Sequence, residues 1–301
     1  MDLKKLRSFI RVAEQSSFSQ AAQILDQSQS MISRQVRQLE EELGTTLLQR
    51  NGRGVTLTAA GRKLLEHGKG ILHQVEIAEQ VLNTDDGIYK GKVTVGMPPT
   101  VGKLLTVGLV SDFLNEFPDC SLAITENLTY WLQKRLIMGE LDIAILYNPL
   151  PERTLKYQLL WTEKLCLIAP SQSELAGRES IPLQELSIYP LIIPNRQQML
   201  RNLVEIECAR HDVTLNVVLE IDTVSSMLGL VSRGFGYSVL PANALEVEFR
   251  PEGLIAIPIN PPILNRVILA TSQQHHFSSL AQRTMELLLQ QDIISQRLAG
   301  R

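Results

Sequence analysis

Between residues 28 and 44 the chain reads SQSMISRQVRQLEEELG, and several of its polar side chains repeat at helical spacing. Ser33, Arg34 and Arg37 follow Ser30 by three, four and seven residues, so a helix gathers all four on one side. Ile32, Val36, Leu39 and Leu43 form an apolar stripe on another. These polar types suit the reading of a DNA duplex. Arginine can donate two hydrogen bonds to guanine O6 and N7, glutamine can pair with adenine, and serine hydroxyls reach bases or phosphates. Gln29 stands in the first turn, where base edges are nearest when such a helix enters a groove. Ser28 is placed as an N-cap, beside free backbone N–H groups suited to a phosphate. Taken alone, the pattern fits a solvated helix face as well. Glu40, Glu41 and Glu42 close the stretch; they read as holding that end off the phosphates, although solvation alone would also explain them.

Neighbouring segments supply the frame that such a helix needs. Leu3, Leu6, Ile10 and Ala13 repeat at helical intervals, and Ser19 offers an N-cap for AAQILDQ. Asp26 tolerates a left-handed turn, Ala22 lets two helices approach, and Ile32 can plug the angle between them. Downstream, TTLLQRNGRGVTLT places two strand-like runs around Asn51-Gly52, a dipeptide suited to a tight hairpin, with Arg50 and Arg53 at its tip. The segment therefore reads as a winged helix-turn-helix, and with the wing present a solvated face is no longer the better reading. Arg50 and Arg53 are expected to follow phosphates or to enter the adjoining minor groove.

Charge points the same way. Residues 1–65 hold ten basic side chains (Lys4, Lys5, Arg7, Arg11, Arg34, Arg37, Arg50, Arg53, Arg62, Lys63) against six acidic ones (Asp2, Glu14, Asp26, Glu40, Glu41, Glu42). The whole chain of 301 residues carries -3, so a front of +4 precedes a body of -7. Only the front is suited to a polyanion. Hydrophobic content of 44% is ample for packed cores. No window approaches the ~20 continuous apolar residues of a membrane helix, and MDLKKLRSFIRVAEQ is too charged for a secretory leader. A soluble, cytoplasmic protein is expected.

Thr58 is expected to cap a helix reaching about Leu82. Leu64, Gly68, Ile71, Val75, Ala78 and Leu82 lie four, three, four, three and four residues apart, a seam suited to a second helix. A linker that dimerises the protein is one reading; a helix buried within its own chain is the other. From about residue 91 the strand-like runs KVTVGM, SLAITE, DIAILY, PLIIP, VTLNVVLEI, FGYSVLP, LIAIPI and RVILATS alternate with helical ones, as parallel βαβ units do. Two α/β lobes are expected.

The stretch SFSQAAQILDQSQSMISRQVRQLEEELGTTLLQRNGRGVTLTAAG resembles the LysR-type transcriptional regulators. LDIAILYNP and the IIPNR segment are similar to their nitrogen assimilation control subgroup. The resemblance spans the chain and implies an α+β multidomain architecture: an N-terminal winged helix-turn-helix (1–58), a long linker and dimerisation helix (59–86), and a C-terminal two-lobed effector domain (91–301) built like periplasmic binding proteins. Lobe I would hold about 91–161 and 266–301, and lobe II about 162–265. It also implies double-stranded promoter DNA, a small-molecule co-effector and RNA polymerase as partners, roughly palindromic sites, and a homodimer or homotetramer that bends DNA. The family commonly has proline where this chain has Ser30, which leaves the helix entrance less rigid here.

Ligands of open α/β folds gather beyond strand C-termini. That rule selects Pro98, Pro99, Thr100 and Val101; Asn127 and Thr129; Tyr147, Asn148 and Pro149; Asn195 and Arg196; and Thr223. The resemblance implies that Thr100 and Thr129 hold effector through their hydroxyls, though both also read as plain N-caps. Arg196 is the evident cation of these loops, so an anionic metabolite is expected, with a surface salt bridge as the alternative. Tyr147 could stack on a ring; Trp131 reads as core.

Cys120, Cys166 and Cys208 lack metal-ligand or disulfide spacing and read as buried thiols. Met199 and Leu200 occupy the stretch where the family's peroxide sensors carry a second cysteine, which disfavours redox switching. The five histidines form no ligand pattern, and His275-His276 reads as a solvated turn. No metal, cofactor or catalytic constellation is expected, which sets aside an enzyme. An exported solute receptor or an architectural DNA binder without effector are the remaining alternatives.

Overall fold

The structure, a computed structural model, describes residues 1–51, 54–82, 89–246, 252–292 and 294. Polar caps fix where the first helices begin. Asp2 accepts from the Lys4 amide at 3.0 Å to open α1 (Leu3–Gln15), and Ser28 accepts from Met31 at 3.2 Å to open α3 (Gln29–Leu43). Between them α2 (Phe18–Ile24) is capped by Ser17, which accepts from Gln20 at 3.3 Å. This corrects the expected cap at Ser19. Phe18 buries its ring from inside the helix, so the helix starts two residues earlier, and Ser19 falls in the first turn.

Asp26 takes φ 49°, the left-handed conformation that turns α2 into α3. Ala22 and Ile32 are buried where these helices meet, in a core with Leu6, Phe9, Val12, Val36 and Leu39. Strands β1 (Leu48–Asn51) and β2 (Gly54–Leu57) pair antiparallel with Asn51 opposite Gly54. Asn51 therefore belongs to β1, and residues 52 and 53, Arg53 included, lie outside the described residues. Arg50 belongs to β1, but its side chain is likewise outside the description.

Thr58 opens α4 (Ala59–Leu82): its hydroxyl accepts from Gly61 N at 2.9 Å and donates to the Thr46 carbonyl at 2.7 Å. Residues 83–86 of the expected linker, and the Leu82 side chain, are outside the described residues. No helix among those described is long and apolar enough to cross a membrane.

The larger part of the chain builds β3 (Gly91–Met97), α5 (Pro99–Glu116), β4 (Cys120–Glu126), α6 (Thr129–Ile137) and β5 (Ile143–Tyr147), then β6 (Leu155–Pro170), β7 (Ile181–Pro182), β8 (Leu191–Ile193), α7 (Met199–Ala209), β9 (Val217–Glu220), α8 (Val224–Ser232), β10 (Ser238–Pro241), β11 (Leu254–Asn260), β12 (Leu264–Ser272) and α9 (Ser279–Gln290). Strand β3 pairs in parallel with β4 and β5, as alternation of strand and helix predicts.

Beyond β5 the parallel reading holds for β8 and β9 but fails for the strands around β6. Strand β6 pairs antiparallel with β10, β11 and β12, in one sheet ordered β4-β3-β5-β12-β6-β11-β7. Its sixteen residues mix Lys, Glu and Gln with apolar types without strict alternation, which hid it from the pattern. Strand β6 contributes to the cores of both lobes, and β12 with Ile263 just before it follows the same crossing. On one side of the crossing Leu160, Trp161, Val267 and Leu269 join the core of β3 and α5; on the other Leu165, Leu167 and Ile263 join that of β8 and α7.

The core tryptophan is not the expected one. Trp161 is 1% exposed and donates to Glu163 at 3.0 Å, while Trp131, expected in the core, is 45% exposed. Helix α6 buries Thr129, Leu132 and Leu136 at helical spacing, which leaves Trp131 outside with the Lys134 ammonium 5.5 Å over its ring. All three cysteines are buried and free, and burial, then the charges of Glu207 and Glu205, push the Cys208 thiol up to about 11.

Candidate nucleic-acid interface and ligand cleft

Helix α3 presents Gln29, Ser30, Arg34 and Arg37 on its exposed side, with Ser33 half-buried beside them. The Ser28 and Ser30 hydroxyls lie 3.0 Å apart. Ser30 thus steadies the cap, offsetting through a hydrogen bond part of the rigidity that proline would give. Gln29 Oε1 accepts from Ser19 at 3.2 Å, which ties the first turn of α3 to α2.

The three glutamates have internal partners, which corrects their reading as phosphate-repelling or merely solvated. Glu40 Oε1 accepts from the backbone amides of Leu47 at 2.7 Å and Leu48 at 3.1 Å, pinning the wing to the helix. Glu41 pairs with Arg37 at 3.2 Å. Glu42 pairs with Lys5 and with the N-terminal ammonium, the latter at 3.3 Å. Arg34 is left without an ionic or hydrogen-bonding partner among the described residues, and so offers its five donors outward.

A cleft of about 300 Å³ opens between the lobes. Of the loop residues selected by sequence, Pro98, Pro99, Thr100, Asn127, Thr129, Tyr147 and Thr223 line it. The Thr100 and Tyr147 hydroxyls are 2.9 Å apart, and Thr129 Oγ1 accepts from the Tyr147 amide at 2.9 Å. Neither threonine is an N-cap: Pro98 and Leu128 hold those positions without a side-chain bond.

The other selected residues fall outside the cleft. Val101 is fully buried in the α5 core. Asn148, at φ 42°, donates to Asn265 Oδ1 at 2.6 Å and accepts from Arg266 N at 2.9 Å, so it ties β5 to β12. Pro149 does not reach the cleft wall. Asn195 donates to Asp222 Oδ2 at 2.6 Å, which orients that carboxylate instead of meeting a ligand itself. Arg196 is 76% exposed at its side chain and pairs with Glu205 at 3.4 Å.

The cation that lines the cleft is Lys103, one turn into α5, and Asp222 lies on the opposite lobe with Gln197, Gln198 and Met227. Sequence reasoning stopped at the loops. The first helical turn also faces the space beyond a strand, and scanning one turn further would have found Lys103.

The linker helix joins these two sites. Leu64 packs on the winged domain's core, and a Cβ at Gly68 would stand 2.9 Å from Leu6 Cδ1. These two positions are used within the chain, which corrects their place in a seam for a second copy. Ile71 and Ala78 remain exposed and Val75 half-buried.

The opposite side of α4 meets lobe I. Glu66 pairs with Lys134 at 2.8 Å, a Cβ at Gly70 would fall 1.7 Å from the Met138 carbonyl oxygen, and Ile77 is buried. His73 Nε2 is 3.0 Å from Asp142 Oδ1, while Asp142 Oδ2 accepts from Thr94 N and Oγ1, both at 2.7 Å. Burial alone would lower the His73 pKa; the hydrogen bonds to Asp142 and Glu76, and their charges, outweigh it and raise the value to about 9. Nor is His275 a solvated turn residue: half-buried, its ring meets the Ile137 carbonyl at 3.0 Å.

Comparison with known proteins matches residues 3–62 to the bacterial regulatory helix-turn-helix of the lysR family and residues 87–292 to the LysR substrate binding domain. The uncharacterized HTH-type transcriptional regulator YybE of Bacillus subtilis is 30% identical over 80% of this chain and 82% of its own length. The nitrogen assimilation regulatory protein nac of Klebsiella aerogenes is 29% identical over 96% and 94%. Among solved structures, a full-length OxyR variant from Pseudomonas aeruginosa superposes with TM-score 0.73 at 24% identity, covering 96% of each chain. Full-length CbnR in complex with its target DNA gives 0.69 at 20%, covering 96% of this chain and 99% of that one. These two show a shared fold.

Proposed function

Because the chain belongs to the LysR family of transcriptional regulators, we propose that occupation of its cleft is transmitted through lobe I to the linker helix and so controls how the winged domain holds promoter DNA. The observation that carries this reading is that two elements each reach from cleft to linker. Helix α6 begins at Thr129 and Tyr130 in the cleft wall, and Lys134 and Met138 at its far end meet α4. Strand β5 ends at Tyr147 in the cleft, and Asp142, just before its start, grips His73. A ligand that draws Tyr147 and Thr129 toward lobe II favours one setting of both elements, and acts only through unequal affinity for the two settings.

On the DNA side Ser28, Gln29, Ser30, Ser33, Arg34 and Arg37 are assigned to the major groove, and Arg50 and Arg53 to phosphates or the neighbouring minor groove. For the cleft the proposed ligand is a small metabolite whose carboxylate faces Lys103 and the N-terminal turn of α5, with a donor group toward Asp222. Thr100 and Tyr147 would bond its polar atoms.

A second copy of the chain is the proposed partner of two apolar faces. One comprises Val107 and Leu114 on α5; the other comprises Ile206 on α7 with Val218 and Leu219 on β9, all exposed. Contact between them, together with Ile71, Val75, Ala78 and Leu82 along α4, would build a dimer or tetramer in the cytoplasm, able to meet RNA polymerase at a promoter.

The test pairs Arg34→Ala with Thr100→Val in the full chain, measuring DNA anisotropy with a panel of small carboxylates. Arg34→Ala is expected to lose about 1–3 kcal/mol of discrimination at one base pair. Thr100→Val is expected to keep DNA affinity but lose the ligand effect. Wild-type behaviour of both variants would sink the reading.

A further inference from the structure

Met31 is an apolar side chain on the otherwise polar exposed face at the start of α3. Between residues 28 and 38 the apolar side chains are Met31, Ile32 and Val36. Ile32 and Val36 are buried at 0% and 2%, whereas Met31 remains 43% exposed. It lies three residues after the cap Ser28, which accepts its amide at 3.2 Å, and three before Arg34, so the two side chains are neighbours along one edge of α3. Gln35, on the side of Met31 away from Arg34, is half-buried and its Oε1 accepts from the Ser8 hydroxyl.

A flexible thioether left in water at the mouth of a reading helix can bury its methyl and methylene groups only against something apolar. The apolar feature of the major groove is the thymine C5-methyl. The first turn is also the part of such a helix nearest to base edges.

We propose that Met31 is a specificity-determining residue that packs on a thymine methyl in the base pair next to the one read by Arg34. This rests on the assignment of α3 to the major groove. The contact would be sequence-specific without a hydrogen bond, and would leave the salt dependence of binding unchanged because no phosphate is involved.

The test uses the full chain and a bound duplex obtained by selection from random DNA, with each thymine replaced in turn by deoxyuridine, which removes only the methyl group. Wild type is expected to lose about fourfold in affinity per half-site at one thymine, the ratio that burial of one methyl group gives. Met31→Ala should bind the parent duplex several-fold more weakly, be indifferent to that same replacement, and melt like wild type because the side chain is exposed. Indifference of wild type to every replacement, or undiminished sensitivity in Met31→Ala, overturns the assignment of Met31. Unchanged base preference in Arg34→Ala would instead show that α3 does not read the groove, and both assignments would fall.

Discussion

The linker helix meets its two neighbours by different physics. Toward the winged domain it offers Leu64 and the bare backbone of Gly68 to Leu6 and Ile10, a mainly apolar contact with one ion pair, Lys69 to Glu14 at 2.9 Å, at its edge. Toward lobe I it offers Glu66 to Lys134 and His73 to Asp142, with Glu76 of the same helix pairing with His73 and Gly70 pressed on a carbonyl. Apolar burial is non-directional and tolerates small displacements, whereas hydrogen-bonded charges lose their strength over an ångström or two. On this contrast α4 is expected to stay with the head and to part more readily from the effector domain.

The largest effect is expected on the apolar side. Leu6→Ala removes a fully buried side chain from the head's core and is expected to cost that domain about 2–5 kcal/mol. A thermal melt should show the head unfolding first, with DNA binding lost and ligand binding in the cleft kept. Loss of both together would mean that the two contacts are one cooperative unit, and the contrast drawn for α4 would fail.

On the polar side His73→Ala removes a hydrogen-bonded charge from buried Asp142 and is expected to cost about 1.5–3 kcal/mol. The pH dependence gives a sharper measurement. The folded pKa of about 9 lies above the ordinary 6.5, so the contribution is complete below pH 6.5 and is lost as pH rises through 9. Asp142 and Glu76 face the ring, and Lys92 and Arg7 act on Glu76 more weakly. Hydrogen exchange of α4 amides should therefore accelerate between pH 7 and 10 in wild type more than in His73→Ala; identical profiles would remove the charge from the account.

Gly70→Ala places a methyl group on the Met138 carbonyl and is expected to push α4 from lobe I at a cost of about 1–3 kcal/mol. DNA affinity should survive while the ligand effect disappears. A retained ligand effect would show that coupling bypasses this contact. Lys134→Ala, which breaks a solvent-exposed pair with Glu66, should have the smallest effect, a melting change within the scatter of repeat measurements.

How much could be read from residues alone differed between head and cleft. The head was legible because its signals are local: a cap at Ser28, a left-handed turn at Asp26, an apolar stripe at Ile32, Val36 and Leu39. The cleft was half legible. Strand ends indicated which loops converge, and Thr100, Thr129 and Tyr147 do meet there. Chain position could not tell that Arg196 turns away to Glu205 while Lys103 turns in, because both choices depend on neighbours distant in sequence.

By itself the sequence determined the winged helix-turn-helix, the alternation of strand and helix through β5, and the family, since periodicity, caps and turns are properties of short segments. Only the tertiary structure decided that β6 ties both lobes into one sheet, that the glutamates of α3 hold the wing and the N-terminus, and that His73 grips Asp142. Each of these depends on a partner far along the chain, and spacing within a segment carries no information about which distant side chain will be brought within hydrogen-bonding reach.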